Sequence, residues 1–450
     1  MKKYIYLFLF FLAGLAGCKK SSFQPAFDKT PDERRGEEVS LVNTQLIASP
    51  NGWVATLPAS AGGGYGFYLN FDNKGNVSMI SDINSQSAST QRASTYRVIA
   101  GLGATLIFDT YNYISFLQDP NPATLGGAQG RGFSSDVEFT YVRANADSLF
   151  FTGRQFRQPL VMVKATASQK TAYLGGGLKT SIDNIKAYLA GNPNPYINIV
   201  SGSSTIQVGI TLNVTNDLLT GKRVSYGVVS ADKRTVDLGA GKFVFTLLGA
   251  EIIGDGLVYG NVKFTKISFK DANTLAFYDS TGKEYIVQAS PTPLVPLSLL
   301  LGKTYSKVAL PNATTFAGWS PDFVNRRASA ANNLFNGGYS LTLENIDFTF
   351  DGNNKTIEMK IAIPQYGTRY EANLYYNYAI ADDGTIKFTY TGPDNVNGPL
   401  VVTAMAPITS QRLNTNNFKM DYSTDPVTGK LLGKFTSVEN PNFSFTGFLQ

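Results

Sequence analysis

Apolar and polar residues alternate at period two in stretch after stretch of this chain, and that single feature fixes what it can fold into. Tyr65, Phe67, Leu69 and Phe71 alternate, Asp72-Asn73-Lys74-Gly75-Asn76 turns, and Val77 with Met79 starts a return strand, the pattern of a hairpin. Ser94 to Ile99, Thr105 to Asp109, Val137 to Val142, Leu149 to Thr152 and Leu160 to Lys164 read as further strands. The alternation resumes at Ile206, Val208, Ile210, Leu212 and Val214 and runs to Phe443–Phe448 through Lys242 to Leu247, Val258 to Lys270, Thr274 to Tyr278, Tyr339 to Leu343, Ile346 to Phe350, Ile357 to Ile363, Ala372 to Ile380, Ile386 to Tyr390 and Phe418 to Tyr422. One buried face per segment implies antiparallel sheets, in a barrel or a sandwich. The fold class expected is therefore mainly β, in two domains.

Two helices interrupt this pattern. Thr30-Pro31-Asp32-Glu33 combines an N-cap hydroxyl, proline at N1 and glutamate at N3, a capping box. Val39, Val42, Leu46 and Ile47 follow at helical spacing until Ser49-Pro50-Asn51-Gly52 stops the helix, and Trp53 covers the junction with the sheet. The second helix lies in a connector, capped by Thr180 or Ser181, with Ile182, Ile185 and Leu189 inward and Gly191 and Pro193 at its end. The expected division is a leader over 1–17, a tether over 18–29, an N-terminal α+β domain over 30–167, the connector over 168–204 and a β-rich region over 205–450. Pro291, Pro293 and Pro296 mark a possible meeting of two subdomains near 290–302, with Leu297 to Leu301 as a helical turn.

The N-terminus gives an address. Lys2 and Lys3 precede an apolar run, Tyr4 to Leu12, which is too short to span a bilayer. It reads as a secretory signal peptide. Leu15-Ala16-Gly17-Cys18 resembles a bacterial lipobox, which makes Cys18, the only cysteine of the chain, the site of lipidation. Two or more acyl chains suffice for stable attachment, so the chain is expected to be anchored at the outer membrane, on its periplasmic or its outward face.

Composition removes several kinds of chemistry. The 450 residues contain no histidine, which excludes Ser-His-Asp and Cys-His catalysis. With the one cysteine committed to lipid, zinc lacks a ligand set, and neither Asp72–Asn76 nor Asp351–Asn354 has the spacing of a calcium loop. No metal or cofactor is expected. Charged residues make up 16% of the chain without a basic stripe, which excludes nucleic acid as a partner. Gly302-Lys303-Thr304 resembles the end of a P-loop but has Leu297 where the motif needs glycine.

What remains are carboxylates and aromatics. Asp136 and Glu138 lie two apart on one strand face, with Asp82 and Asp109 as further acids, and carboxylate pairs serve glycoside hydrolysis. Tyr111, Tyr113 and Phe116 crowd beside Asp109 ahead of a long loop, 118–135, and Trp319 sits in a polar, proline-containing segment. Rings of this kind suit a pocket of mixed apolar and polar lining. The candidate ligand-binding set is Asp109, Tyr111, Tyr113, Phe116, Asp136, Glu138 and Trp319.

Several segments carry a family resemblance. Phe27-Asp28-Lys29-Thr30-Pro31-Asp32-Glu33-Arg34, Ala48-Ser49-Pro50-Asn51-Gly52-Trp53, Gly62-Gly63-Gly64-Tyr65, Phe71-Asp72, Ser81-Asp82, Phe108-Asp109-Thr110-Tyr111 and Ser135-Asp136-Val137-Glu138-Phe139 resemble the Bacteroidetes lipoprotein family catalogued as domain of unknown function 4302, most clearly over 27–166. The resemblance implies a cell-envelope setting beside an outer-membrane nutrient-uptake system, with a TonB-dependent transporter as partner and a glycan or a peptide as ligand. It brings no catalytic residue. Expected, then, is a non-catalytic binding protein; a carboxylate-only hydrolase and a structural accessory subunit of a transporter are the alternatives.

Overall fold

The computed structural model describes residues 29–394 and 396–450. The signal peptide, Cys18 and almost all of the tether fall outside the described residues. Helix α1 (Pro31–Ile47) starts with the capping box its sequence predicts: the Thr30 hydroxyl accepts from the Glu33 amide, and the Glu33 carboxylate accepts from the Thr30 amide at 2.8 Å. Val42 and Leu46 face the core, and Trp53 donates its indole N–H to the Leu46 carbonyl at 2.8 Å, pinning the helix end to the sheet.

Strands β1 (Trp53–Pro58), β2 (Gly64–Phe71), β3 (Asn76–Ser81), β4 (Arg92–Ala100), β5 (Ala104–Phe108), β6 (Glu138–Ala144), β7 (Ser148–Gly153) and β8 (Pro159–Lys164) form a closed antiparallel barrel in chain order. Closure leaves no edge open to another chain. Tyr65, Phe67, Leu69 and Phe71 point into it with Leu106, Phe139, Phe151 and Met162, each such buried side chain contributing roughly 1.5–3 kcal/mol. The long loop folds down over the barrel: Phe133 is fully buried beside Tyr65, and its amide donates to the Leu117 carbonyl at 2.7 Å.

Two helices, α2 (Ala167–Leu174) and α3 (Gly177–Gly191), lead to a second sheet. It comprises β9 (Pro195–Ser201), β10 (Ser204–Asn213), β11 (Arg223–Val229), β12 (Val236–Thr246), β13 (Gly249–Ile253), β14 (Leu257–Tyr259), β15 (Val262–Asp271), β16 (Thr274–Asp279), β17 (Glu284–Ile286) and β18 (Gln288–Ala289). Only Val287 separates β17 from β18, yet β17 pairs with β16 and β18 with β9. One kinked segment thus joins both edges of the sheet. A third unit, β19 (Lys307–Leu310), β20 (Ile346–Asp351), β21 (Thr356–Ala362), β22 (Glu371–Ile380), β23 (Ile386–Pro393), β24 (Asn417–Thr424), β25 (Leu431–Ser437) and β26 (Ser444–Leu449), closes as a second barrel. Helix α4 (Pro321–Asn336) packs Phe323, Ala330 and Leu334 into its core.

The protein is therefore mainly β and antiparallel, as the alternation predicts, with three sheet units in succession. Four local expectations fail for identifiable reasons. The connector holds two helices, because Thr166 and Gln169 form a second capping box and Gly175-Gly176 breaks the chain before α3, whose N-cap is Gly176 rather than Thr180 or Ser181. The second sheet begins at Pro195, inside the expected connector. Tyr339 to Leu343 is not a strand, since Ser340 adopts φ +50° and the segment follows the end of α4. Finally, β2 is buried on both faces rather than one, because β12 lies across its outer face. Glycines at the outward positions permit this approach: a Cβ on Gly64 would stand 2.5 Å from the Phe243 carbonyl oxygen.

Candidate functional site

The structure scatters the acids read from the sequence. Asp109 pairs with Arg97 at 2.9 Å, and Glu138 pairs with Arg154 at 2.6 Å, both at the surface. Asp136 is buried and accepts from the amides of Gln155 at 2.7 Å and Phe156 at 3.0 Å, which shapes the β7–β8 turn. These three carboxylates hold separate partners, and none of them lines a recess described below. Glycoside cleavage needs two carboxyl groups flanking one bond, and these three are each engaged with a different protein partner.

The aromatic cluster does assemble, around a cation. The Arg92 guanidinium lies 5.5, 5.7 and 5.1 Å from the ring centres of Tyr111, Tyr113 and Phe116. Tyr113 is buried with its hydroxyl donating to the Thr90 carbonyl, and the exposed Tyr111 hydroxyl donates to Asp119. Arg92 already uses the faces that a ligand would need. Trp319 is a correction: it lies in the core of the third unit against Phe316 and Phe323, and its indole donates to the Thr446 carbonyl at 2.9 Å. It immediately precedes the N-cap of α4, so its polar neighbours in sequence are capping residues and not a binding loop.

Asp82 has a role that its neighbours in sequence do not reveal. Its two carboxylate oxygens accept from the Gly66 amide at 2.8 Å and the Phe245 amide at 2.7 Å, and from the Lys222 ammonium at 2.6 Å. Both side chains are buried at the contact between the first barrel and β12, with Lys222 over the Phe245 ring. Burial pushes the Lys222 pKa down while the Asp82 charge holds it up. Every polar atom of this carboxylate has a partner, so the pair fastens two sheet units together and offers nothing to a ligand.

One open space lies between the second sheet and the third unit. A groove of about 600 Å³ is walled by Leu189 at the end of α3, by the outer strands β10 to β12, by the 293–305 linker and by Leu431 of β25. Its floor is shallow because Gly209 and Gly227 are cross-strand partners, with Leu238 next in line opposite Gly227. Above them passes the proline-rich linker: Leu294 lies 3.7 Å from where a Gly209 side chain would begin, and Val295 lies 2.9 Å from that point on Gly227. Hydrogen bonds hold the start of the linker, from the Asn194 side-chain amide to the Ser290 carbonyl at 3.1 Å and from the Tyr422 hydroxyl to the Val295 carbonyl at 2.8 Å.

The lining is uncharged throughout. Aliphatic side chains dominate, Tyr226 and Tyr305 add ring surface, and Asn194, Thr211, Ser225 and Thr304 supply polar atoms. Burial raises the pKa of both tyrosines, and for Tyr226 the Asp237 carboxylate 3.4 Å from its hydroxyl raises it further. Both phenols are therefore neutral hydrogen-bonding groups at physiological pH. A second recess of about 640 Å³ adjoins the groove, shares Gly227 and Leu294 with it and, unlike the groove, has Asp237 in its lining. The uncharged walls of the groove, with few polar groups, suit a neutral ligand that buries apolar surface. No group of three or more acidic or thiol side chains placed to hold a metal ion occurs among the described residues.

The proline cluster is visible in the sequence, but nothing there ties it to Gly209 and Gly227. Only the fold brings Gly209 of the second sheet, Leu294 of the linker and Leu431 of the third unit to one groove.

Fold and groove together define a class: a succession of three antiparallel β units, two closed barrels with a ten-stranded sheet between them, the first two joined by a buried ion pair and the last two separated by a neutral cleft. The chain belongs to the family described as domain of unknown function (DUF4302), whose model matches residues 24–271. That span takes in the first barrel and the second sheet as far as the end of β15. No curated protein matches the chain.

Proposed function

We propose that this protein is a non-catalytic binding protein of the cell envelope, lipid-anchored through Cys18 at the outer membrane, and that it takes a peptide segment with aliphatic side chains into the groove between the second sheet and the third unit. One observation carries the ligand class: a groove built from the second sheet, the proline-rich linker and one strand of the third unit is lined without a charged side chain. Removing a charge from water without a partner is costly, so such a lining rejects charged groups and rewards apolar ones. Sugar hydroxyls want a denser set of amides and carboxylates than these aliphatic walls supply. The separate partners of Asp109, Asp136 and Glu138 favour binding over a carboxylate-only hydrolase. Anchoring and an uptake role beside a TonB-dependent transporter rest on the lipobox-like Leu15-Ala16-Gly17-Cys18 and on the family resemblance.

The test is a panel of blocked peptides and neutral oligosaccharides presented to the purified chain and to Leu294→Asp. The reading predicts retention of aliphatic peptides, recovered intact by mass spectrometry, and loss of retention in the variant. Cleavage of a retained ligand contradicts the non-catalytic part, and retention of sugars alone by the groove contradicts the ligand class. Mass spectrometry of the processed N-terminus tests the anchor separately, since an unmodified Cys18 thiol rules it out.

A further inference from the structure

We propose a second binding site, remote from the groove and outside the matched family span, in which an arc of exposed rings at one end of the third unit stacks on a neutral oligosaccharide. The arc consists of Phe335 at the end of α4, Tyr339 after it, and Tyr366 and Tyr370 in the β21–β22 connection. Their exposures are 59%, 55%, 90% and 42%. Four large rings left in water at one place are costly to keep, and a patch of this kind marks an interaction surface.

Hydrogen bonds between the two segments make the arc one surface. The Gln365 side chain donates to the Tyr339 carbonyl at 2.7 Å and the Thr342 amide to the Pro364 carbonyl at 2.9 Å, while within the β21–β22 connection the Ile363 amide donates to the Tyr370 carbonyl at 2.9 Å. Unlike Tyr111, whose face Arg92 covers, none of these rings has a cation or another ring on it among the described residues.

Tyr366 occupies its place at a backbone cost. Gln365 and Thr368 exchange amide-to-carbonyl hydrogen bonds of 2.8 and 2.9 Å, which leaves Tyr366 and Gly367 as a two-residue tip with φ of +47° and +85°. Such a tip favours Asn-Gly, and a bulky residue with positive φ is strained. The ring it carries packs on nothing that repays this strain. Strain of that kind collects at functional positions.

The chemistry around the arc selects the occupant. A recess of about 530 Å³ beside Tyr339 is lined by Asn333, Asn336, Thr403, Leu400 and other uncharged residues. Asn332 is exposed on the same end of α4, and Arg369, between the two tyrosines of the hairpin, is neutralised by Glu344 at 2.9 Å. Ring faces bordered by amides and hydroxyls, without net charge, match a neutral sugar, whose C–H face stacks while its hydroxyls take hydrogen bonds. The groove, with aliphatic walls and few amides, does not have this composition.

The experiment is migration of the full mature chain through native gels containing mixed-linkage glucan, xylan or galactomannan. At least one of these neutral polysaccharides is expected to retard it. Tyr339→Ala/Tyr366→Ala should weaken the retardation at least tenfold, whereas Leu294→Asp in the groove should leave it unchanged. Tyr366→Asn, which suits the positive φ, should unfold at a higher temperature than the wild-type chain and yet bind more weakly. No retardation by any of the three polymers, or retardation that survives both tyrosine variants, overturns the proposal without touching the peptide groove.

Discussion

Asp82 and Lys222 stand 140 positions apart in sequence and 2.6 Å apart in space, each almost wholly withdrawn from water. The carboxylate also receives the backbone amides of Gly66 and Phe245, one from each of the two sheet units it joins. An ion pair this deep gains its strength from being complete, and breaking it by removing one partner strands a charge.

Lys222→Met leaves the Asp82 charge buried and should cost about 3–5 kcal/mol of stability. Asp82→Asn strands the ammonium instead and should cost a similar amount. The double variant Asp82→Asn/Lys222→Met should lose clearly less than the sum of the two. Denaturant unfolding of the four proteins measures this cycle, and additive losses would show that the pair is not coupled.

Lys242 supplies a pH dependence. Its ammonium donates to the Ala59 carbonyl, and burial, followed by the Arg223 charge, lowers its pKa to about 8 from 10.5. Between those values the unfolded chain holds a proton that the folded chain has released, so stability rises with pH there. Below about pH 8 both states are protonated and the burial cost is carried in full. The stability of the wild-type chain relative to Lys242→Gln should therefore improve from pH 7 to 9.5. Above about 10 the buried tyrosines, whose pKa values are raised, begin to act in the opposite sense.

The three carboxylates singled out in the sequence should separate by burial. Asp136→Ala removes the acceptor of two backbone amides in a buried turn and should cost about 1–3 kcal/mol. Asp109→Ala and Glu138→Ala break surface pairs and should each cost about 0–1 kcal/mol. Thermal unfolding ranks them, and equal losses contradict the assignment.

The family match stops at Asp271, yet the second sheet does not. Its edges are joined only through Gln288 and Ala289, which pair with Tyr196 and Pro195. A chain ending at 289 should show one cooperative unfolding transition, and a chain ending at 271 should expose two strand edges and aggregate. Size-exclusion chromatography with circular dichroism distinguishes them.

Strands and their faces were legible wherever one side meets solvent, as in Ile346 to Phe350, and so was α1, whose Thr30-Pro31-Asp32-Glu33 signal is reproduced in full by the hydrogen bonds. Helix α4 carries a related signal, Ser320-Pro321-Asp322, with the Ser320 hydroxyl accepting from Phe323 at 3.2 Å. Its four asparagines and two arginines masked the apolar spacing of Phe323, Ala330 and Leu334, so it passes for a loop in the sequence. The groove was illegible because its floor and its roof come from residues that alternation treats as unrelated strand and linker. Lys222 was hidden for a similar reason: a lone lysine beside Gly221 reads as a solvated turn, and only the neighbouring barrel buries it.

Calorimetric titration of a blocked tri-leucine peptide into the wild-type chain and into Leu294→Asp bears most directly on the neutral groove. Saturable one-to-one binding that weakens at least tenfold in the variant, while the unfolding midpoint holds, is the result predicted. Absence of heat with the wild-type chain, or equal affinity in both proteins, would contradict the groove as the ligand site.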